Sequence, residues 1–221
     1  LDQNLPVLMG LLSVWNTNFL GAESLAVLPY DSRLARFPAY LQQLHMESNG
    51  KGRRRDGKKV SVATAPILWG EPGSNAQHSF FQLLHQGTRR VAIDFLAPVQ
   101  GSGPSQAQQD LALANMLAQA RALSDGDAGD DGSGGGSAPS AYPGNRPSTT
   151  LLFQKLDPET LGKLVALYEH KVFVESVIWG INAFDQPGVE LGKRLAREMT
   201  DAVAHPDGFQ GGDAATRGLL D

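Results

Sequence analysis

Apolar positions along the chain follow two alternating spacings, and the switches between them mark out the elements. Between residues 4 and 20, Leu5, Leu8, Leu11, Leu12, Trp15 and Phe19 recur at helical spacing. Ser24 to Tyr30 is a short apolar run that predicts a strand. Asp31 or Ser32 can cap a second helix running to about Glu47, with Pro38 tightening or kinking it. The same alternation then repeats. Pro66 to Trp69 predicts a strand, Asn75 to Gln86 a helix, Arg90 to Leu96 a strand, Gln106 to Leu123 a long helix and Thr149 to Phe153 a strand. Asp157-Pro158-Glu159 is a helix start, a capping Asp followed by Pro at the first helical position, and that helix is expected to reach about Val174. Glu175 to Ile181 reads as a further strand and Gly188 to Ala204 as the last clear helix. Short apolar strands alternating with longer helices imply an α/β chain, a parallel sheet covered by helices on both faces. In such sheets a ligand is expected beyond the carboxyl ends of the strands.

Composition narrows the picture. A length of 221 residues suits one ordinary domain with a full core, and 41% apolar against 19% charged residues is a globular balance. The formal charge of −4 argues against a general nucleic-acid binder. With no cysteine, disulfide scaffolds, thiolate zinc sites and thiol catalysis are excluded. No apolar run approaches the length of a membrane span. The chain starts at Leu1 with no signal-peptide pattern, so it is expected to begin inside a longer polypeptide and to be cytoplasmic. Asp125 to Ser137 consists only of Asp, Gly, Ser and Ala, which predicts a mobile acidic loop over about 124–140. Lys51, Arg53, Arg54, Arg55, Lys58 and Lys59 crowd around Asp56-Gly57, which predicts a charged hairpin.

Three clusters carry side chains suited to proton transfer or ligand contact. In Trp69-Gly70-Glu71-Pro72-Gly73-Ser74-Asn75-Ala76-Gln77-His78, the glycines permit a tight turn and Ser74 or Asn75 can cap the following helix. His78 then falls in the first helical turn, where the dipole favours the neutral imidazole. A neutral imidazole there is a competent proton-transfer group, although spacing alone favours a plain capped helix with a hydrogen-bonded histidine. In the second cluster, Glu47 lies near a helix end whose dipole disfavours a carboxylate, which suits a general base facing a cleft. Gln43, four residues earlier, shares its helix face; by spacing alone the pair is an exposed polar helix end. In the third, Asp185 or Gln186 precedes a helix whose first turns present Glu190 and Lys193. These make either a surface ion pair or a cation reaching a polar ligand. The five histidines have no zinc spacing, and there is no nucleophile elbow, phosphate loop or dinucleotide fingerprint.

Taken together the clusters are far more specific than any one of them. The runs Ala26-Val27-Leu28-Pro29-Tyr30-Asp31, Met46-Glu47-Ser48-Asn49-Gly50-Lys51 and Trp69-Gly70-Glu71-Pro72-Gly73 are followed in order by His85-Gln86-Gly87-Thr88 and Gly144-Asn145-Arg146-Pro147. Then come Ala166-Leu167-Tyr168-Glu169-His170-Lys171 and Phe184-Asp185-Gln186 through Gly188-Val189-Glu190-Leu191-Gly192-Lys193. On these motifs the chain resembles the C-terminal portion of the glucose-6-phosphate isomerase family. The likeness runs to about Lys193, with a weak echo from Gly212 to Leu220.

The resemblance implies a three-layer parallel-sheet domain of the sugar-isomerase (SIS) type over 1–186, with a C-terminal helix and tail over 187–221. It implies an aldose–ketose isomerase acting on glucose 6-phosphate and fructose 6-phosphate by ring opening and proton transfer through a cis-enediolate. Glu47 matches the family's base, His78 its ring-opening acid/base group and Lys193 the lysine that aids ring opening and contacts the sugar. Gln43 and Gln186 match substrate-contacting residues. The resemblance also implies a homodimer in which His78 serves the partner's site, with no metal, organic cofactor, nucleic acid or membrane. Ala76 stands where the family has Gly, Pro187 where it often has Trp, and the acidic loop replaces a longer segment. The family's phosphate-binding Ser/Thr-rich loop, the Arg of its first signature and its first sugar-isomerase subdomain lie upstream of this chain, in a missing N-terminal segment. That gap motivates the alternative of a non-catalytic phosphosugar-binding or dimerisation module.

Overall fold

The structure, a computed structural model, describes residues 2–101, 105–127, 142–205, 209 and 211–220. These fall into two compact units, Leu1–Phe184 and Asp185–Asp221. The first unit runs α1 (Leu5–Asn18), β1 (Ser24–Pro29), α2 (Phe37–Asn49), β2 (Ile67–Trp69), α3 (Gly73–Ala76), α4 (Phe81–Gln86), β3 (Val91–Pro98), α5 (Gln106–Asp125), β4 (Ser148–Phe153) and α6 (Pro158–Trp179). The second holds α7 (Gly188–Ala204) and α8 (Ala214–Leu220). Beyond Asp127, the expected acidic loop lies outside the described residues.

The four strands are all parallel, in the order β2-β1-β3-β4. Ser24 of β1 aligns with both Ile67 of β2 and Val91 of β3. β1 is flanked on both sides and β3 is buried along its whole length, as a continuous apolar run requires. Among the described residues β4 is an edge strand, and its Leu152 is half exposed. Alternate residues of the strands feed two cores. Leu25, Val27 and Leu96 join Met9, Leu41, Leu164 and Tyr168, from α1, α2 and α6, on one face. Ala26, Leu28, Ile93 and Phe95 join Ala76, Phe81, Leu84, Met116 and Leu123, from α3, α4 and α5, on the other. The result is the three-layer, doubly wound SIS-type α/β fold expected from the sequence.

Three helical expectations are corrected. The helix expected from Asp31 is two pieces: Asp31 caps a 3-10 turn over Ser32–Leu34, and α2 starts afresh at Phe37 with Pro38 in its first turn. The helix expected over 75–86 is also split, into α3 and α4 with a turn between. Glu175 to Ile181 is not a strand. α6 continues through it to Trp179 and stops at Gly180, whose left-handed φ of 71° ends the helix. Lys171, Val172, Glu175, Ser176 and Trp179 are all buried, a helical stripe, so tertiary packing overrides the β-branched character of this stretch. Asp157 caps α6 as expected, its carboxylate accepting from Thr160 N at 2.9 Å.

Two glycines let the segment after β2 lie against the carboxyl end of β1. Gly70 has φ +153°, and a Cβ there would penetrate the Val27 backbone. A Cβ on Gly73 would enter the Tyr30 ring. Burial pushes the Tyr30 phenol up to about 12, with the Gln77 side chain pulling the other way.

The layer of α1, α2 and α6 contains a buried polar network. Lys171 Nζ donates to Glu175 Oε1 at 2.8 Å, and Asn49 Nδ2 donates to Glu175 Oε2 at 3.2 Å and to Val172 O at 3.0 Å. His45 Nε2 lies 3.2 Å from Glu175 Oε2. Tyr168 donates to Asp94 Oδ2 at 3.0 Å. Burial raises the Glu175 carboxyl, but His45, Lys171 and Ser13 outweigh it and hold the group below its ordinary value. Burial pushes Asp94 up, against the pull of Lys171 and the Tyr168 hydroxyl.

Burial also pushes His45 down to about 4; Glu175 opposes that shift and Lys171 adds to it. The imidazole is therefore neutral in the fold at pH 7, while the unfolded chain takes up a proton near 6.5. Stability from this group is complete above pH 6.5 and is lost as the pH falls toward 4, by at most about 3 kcal/mol. Denaturant unfolding of wild type and His45→Leu at pH 7.5 and 4.5 checks this: the variant should show the shallower loss on acidification. A second expectation concerns the loop. Gly73→Ala should cost about 2 kcal/mol or more, by forcing Tyr30 aside. Gly52→Ala, with nothing within 4 Å of the added Cβ, should stay within about 0.5 kcal/mol in the same assay.

Candidate active site

Glu47 and Gln43 lie on α2, away from its buried stripe of Phe37, Leu41, His45, Ser48 and Asn49. Gln43 is exposed and Glu47 half-buried, so the shared helix face expected from their spacing is present and reachable. Just beyond, the basic residues form the expected hairpin. Arg53 bridges Lys59, Asp56 Oδ1 accepts from Lys58 N at 3.1 Å, and Gly57 takes φ +81° at the turn. Arg55 N donates to Gly180 O at 2.8 Å and Lys51 Nζ to Asn182 O at 2.6 Å. These two bonds pin the hairpin to the end of α6.

His78 is exposed and sits in the turn between α3 and α4, not in a first helical turn. Its N–H donates to Asn75 O at 3.0 Å. The dipole argument for His78 therefore falls, because α3 ends before it and α4 starts after it. What fixes the turn is the glycine-dependent contact of the preceding segment with Val27 and Tyr30.

The two candidate proton-transfer groups of this unit are far apart. α2 leaves the carboxyl end of β1 and must deliver the chain to the amino end of β2, as any helix between parallel strands does. Ala65 N donates to Asn49 O at 3.5 Å two residues before β2 begins, so Glu47 lies toward the amino ends of the strands. The His78 turn follows residues seated on the carboxyl end of β1, in the opposite helical layer. Glu47 and His78 thus lie in opposite helical layers, Glu47 toward the amino ends of the strands and His78 beside the carboxyl end of β1. The expectation of a ligand beyond the strands' carboxyl ends fits His78 and not Glu47.

In the second unit, α7 spans the expected residues. Its exposed Lys193 donates to Glu190 Oε1 at 2.9 Å, the anticipated i,i+3 pair. Gln186 is exposed just ahead of the helix. Among the described residues no group of three or more His, Asp or Glu side chains is arranged to hold a metal ion, and no helix is long and apolar enough to cross a membrane. Reasoning from spacing missed the buried network. Its signal was present in the i,i+4 pairs His45/Asn49 and Lys171/Glu175, the second hidden by reading Glu175 as strand.

The sequence model of the phosphoglucose isomerase family matches residues 1–220. A glucose-6-phosphate isomerase of Syntrophus aciditrophicus is 54% identical over 98% of this chain and 41% of its own length. One from Xanthobacter autotrophicus is 51% identical over 100% of this chain and 43% of its own. The crystal structure of a glucose-6-phosphate isomerase from Chlamydia trachomatis superposes with a TM-score of 0.83 at 42% identity, covering 98% of this chain and 41% of that one. The chain spans little more than two fifths of the length of these relatives. With the family's motifs in order on the family's fold, the chain belongs to the phosphoglucose isomerase family.

Proposed function

We propose that this chain is the C-terminal part of an aldose–ketose isomerase that interconverts glucose 6-phosphate and fructose 6-phosphate in the cytoplasm. The observation that carries this reading is the family match over residues 1–220, and it is supported by the motifs that hold Glu47, His78 and Lys193. Glu47 is the base. After ring opening, its carboxylate removes the C2 proton of the open-chain aldose; the C–H electron pair forms the C1–C2 double bond and the C1 oxygen takes the developing negative charge. Return of the proton to C1, with transfer of the O2 proton to O1, gives the ketose. The proton beside a carbonyl is weakly acidic, so a positioned base and stabilisation of the enediolate oxygens are both needed. Lys193 aids ring opening and contacts the sugar, and Gln43 and Gln186 contact the substrate. An upstream segment supplies the phosphate grip.

His78 acts in ring opening, in the site of a partner subunit of a homodimer. The support is geometric: within one copy Glu47 lies toward the amino ends of the strands and His78 beside the carboxyl end of β1, in the opposite helical layer. The alternative, a non-catalytic phosphosugar-binding or dimerisation module, draws only on the chain's partial coverage of its relatives.

The test is fructose 6-phosphate isomerisation by this chain joined to its upstream region. Glu47→Gln should lower kcat by about a thousandfold and His78→Asn by about a hundredfold. A folded, sugar-phosphate-binding protein that is inactive without any mutation would favour the binding module. The isolated chain should show little turnover, since phosphate binding energy positions the reacting end. Dissociating and mixing the two inactive variants should restore roughly a quarter of wild-type activity, because half the re-formed dimers carry one intact site. No recovery after verified subunit exchange would place His78 in its own subunit's site or outside the chemistry.

A further inference from the structure

We propose that Glu175 is a positioning residue for Glu47, gripping the last turn of α2 through Asn49 so that the Glu47 carboxylate is held at one place. The inference rests on Glu47 being the base. Asn49 and His45 are four apart on the inward face of α2, and Glu47 lies between them in sequence on the outward side. Asn49 Nδ2 donates to Glu175 Oε2 at 3.2 Å, and the His45 ring packs beside the same carboxylate, its Nε2 3.2 Å away without a hydrogen bond. Asn49 also ties the turn to α6 through Val172 O at 3.0 Å. The other carboxylate oxygen, Oε1, takes Lys171 Nζ at 2.8 Å. His45, Asn49, Lys171 and Glu175 are at most 2% exposed, so water does not compete for these contacts.

The end of α2 needs such a grip. Its cap, Gly50, has φ −75° and ψ 53° and not the left-handed conformation that closes many helices, and no basic residue lies in its last turn. Last turns fray when tertiary contacts do not hold them. Nor is stability alone a sufficient reason for the network, because a buried ion pair is often replaceable by apolar groups without loss. The groups facing Glu175 come from three helices and a strand: Ser13 of α1, His45 and Asn49 of α2, Lys171 of α6 and, through Lys171, Asp94 of β3.

The test uses the joined, active polypeptide, with wild type and Glu47→Gln measured alongside. Lys171→Met/Glu175→Leu removes the buried charge pair together and leaves an apolar contact. Because Asp94 loses Lys171 and Asn49 loses Glu175, its unfolding midpoint should fall somewhat, while kcat falls about tenfold and KM stays within about twofold. Amide hydrogen exchange at Met46–Gly50 should quicken, with that of Leu164–Tyr168 on α6 unchanged. Asn49→Ala, which leaves no charge uncompensated, should show the same kcat loss, KM and exchange pattern, and decides the matter if the double variant does not fold. A folded variant that keeps wild-type kcat, while Glu47→Gln is inactive, overturns the grip and leaves the role of Glu47 intact. Loss of kcat without faster exchange at the end of α2 overturns it as well. An inactive wild type would instead overturn the isomerase reading beneath it.

Discussion

Everything in the first unit follows from the parallel pairing of its strands. A parallel sheet obliges each connection to travel back along the sheet before the next strand can begin, and the hand of that crossover assigns each helix to a face. With β1 at the centre, β2 is reached on one side by α2, and β3 on the other by α3 and α4. Glu47 and His78 belong to these two successive connections, one near the end of its helix and the other between short helices near the start. Their placement at opposite corners is therefore a property of the topology and not of their side chains.

The two helical layers are held by different physics. The layer of α3, α4 and α5 is apolar and closes on Phe81, Leu84, Met116 and Leu123 around β3. The layer of α1, α2 and α6 encloses charge. Asn49 of α2 donates to both Val172 O and Glu175 Oε2 of α6, so sliding one helix past the other would break both bonds and leave a buried amide unpaired. An apolar contact tolerates such sliding far better, because dispersion has little directional preference. The polar layer thus has one register, and it is the layer carrying Glu47.

Much of this was legible in the sequence where a local signal and tertiary packing agreed. The strands at 24–29 and 91–98, the Asp157-Pro158 start of α6 and the whole of α7 are of this kind. The failures came where packing outvoted local preference. Val177, Ile178 and Ile181 suggest a strand, but Lys171, Glu175 and Trp179 are committed to one buried helical face. At 75–86 the apolar periodicity spans a break, because a period cannot report the turn at 77–80 inside it. The candidate site was legible as a family pattern and hardly at all as spacing. Gln43 with Glu47 reads as an ordinary helix surface, and what sets it apart lies on the reverse of the helix, in partners more than a hundred residues away.

The outer flank of β4 bears on how the chain behaves as a material. Its six residues pair with β3 on one side, and Leu152 stands half exposed. The opposite edge of the sheet, β2, is only three residues long and offers little to a newcomer. An edge of six residues with an apolar side chain is a template on which an extended segment of another molecule can lie down, satisfying its amides and shedding water at the same time. Concentrating the bare chain works in favour of that encounter, and dilution works against it.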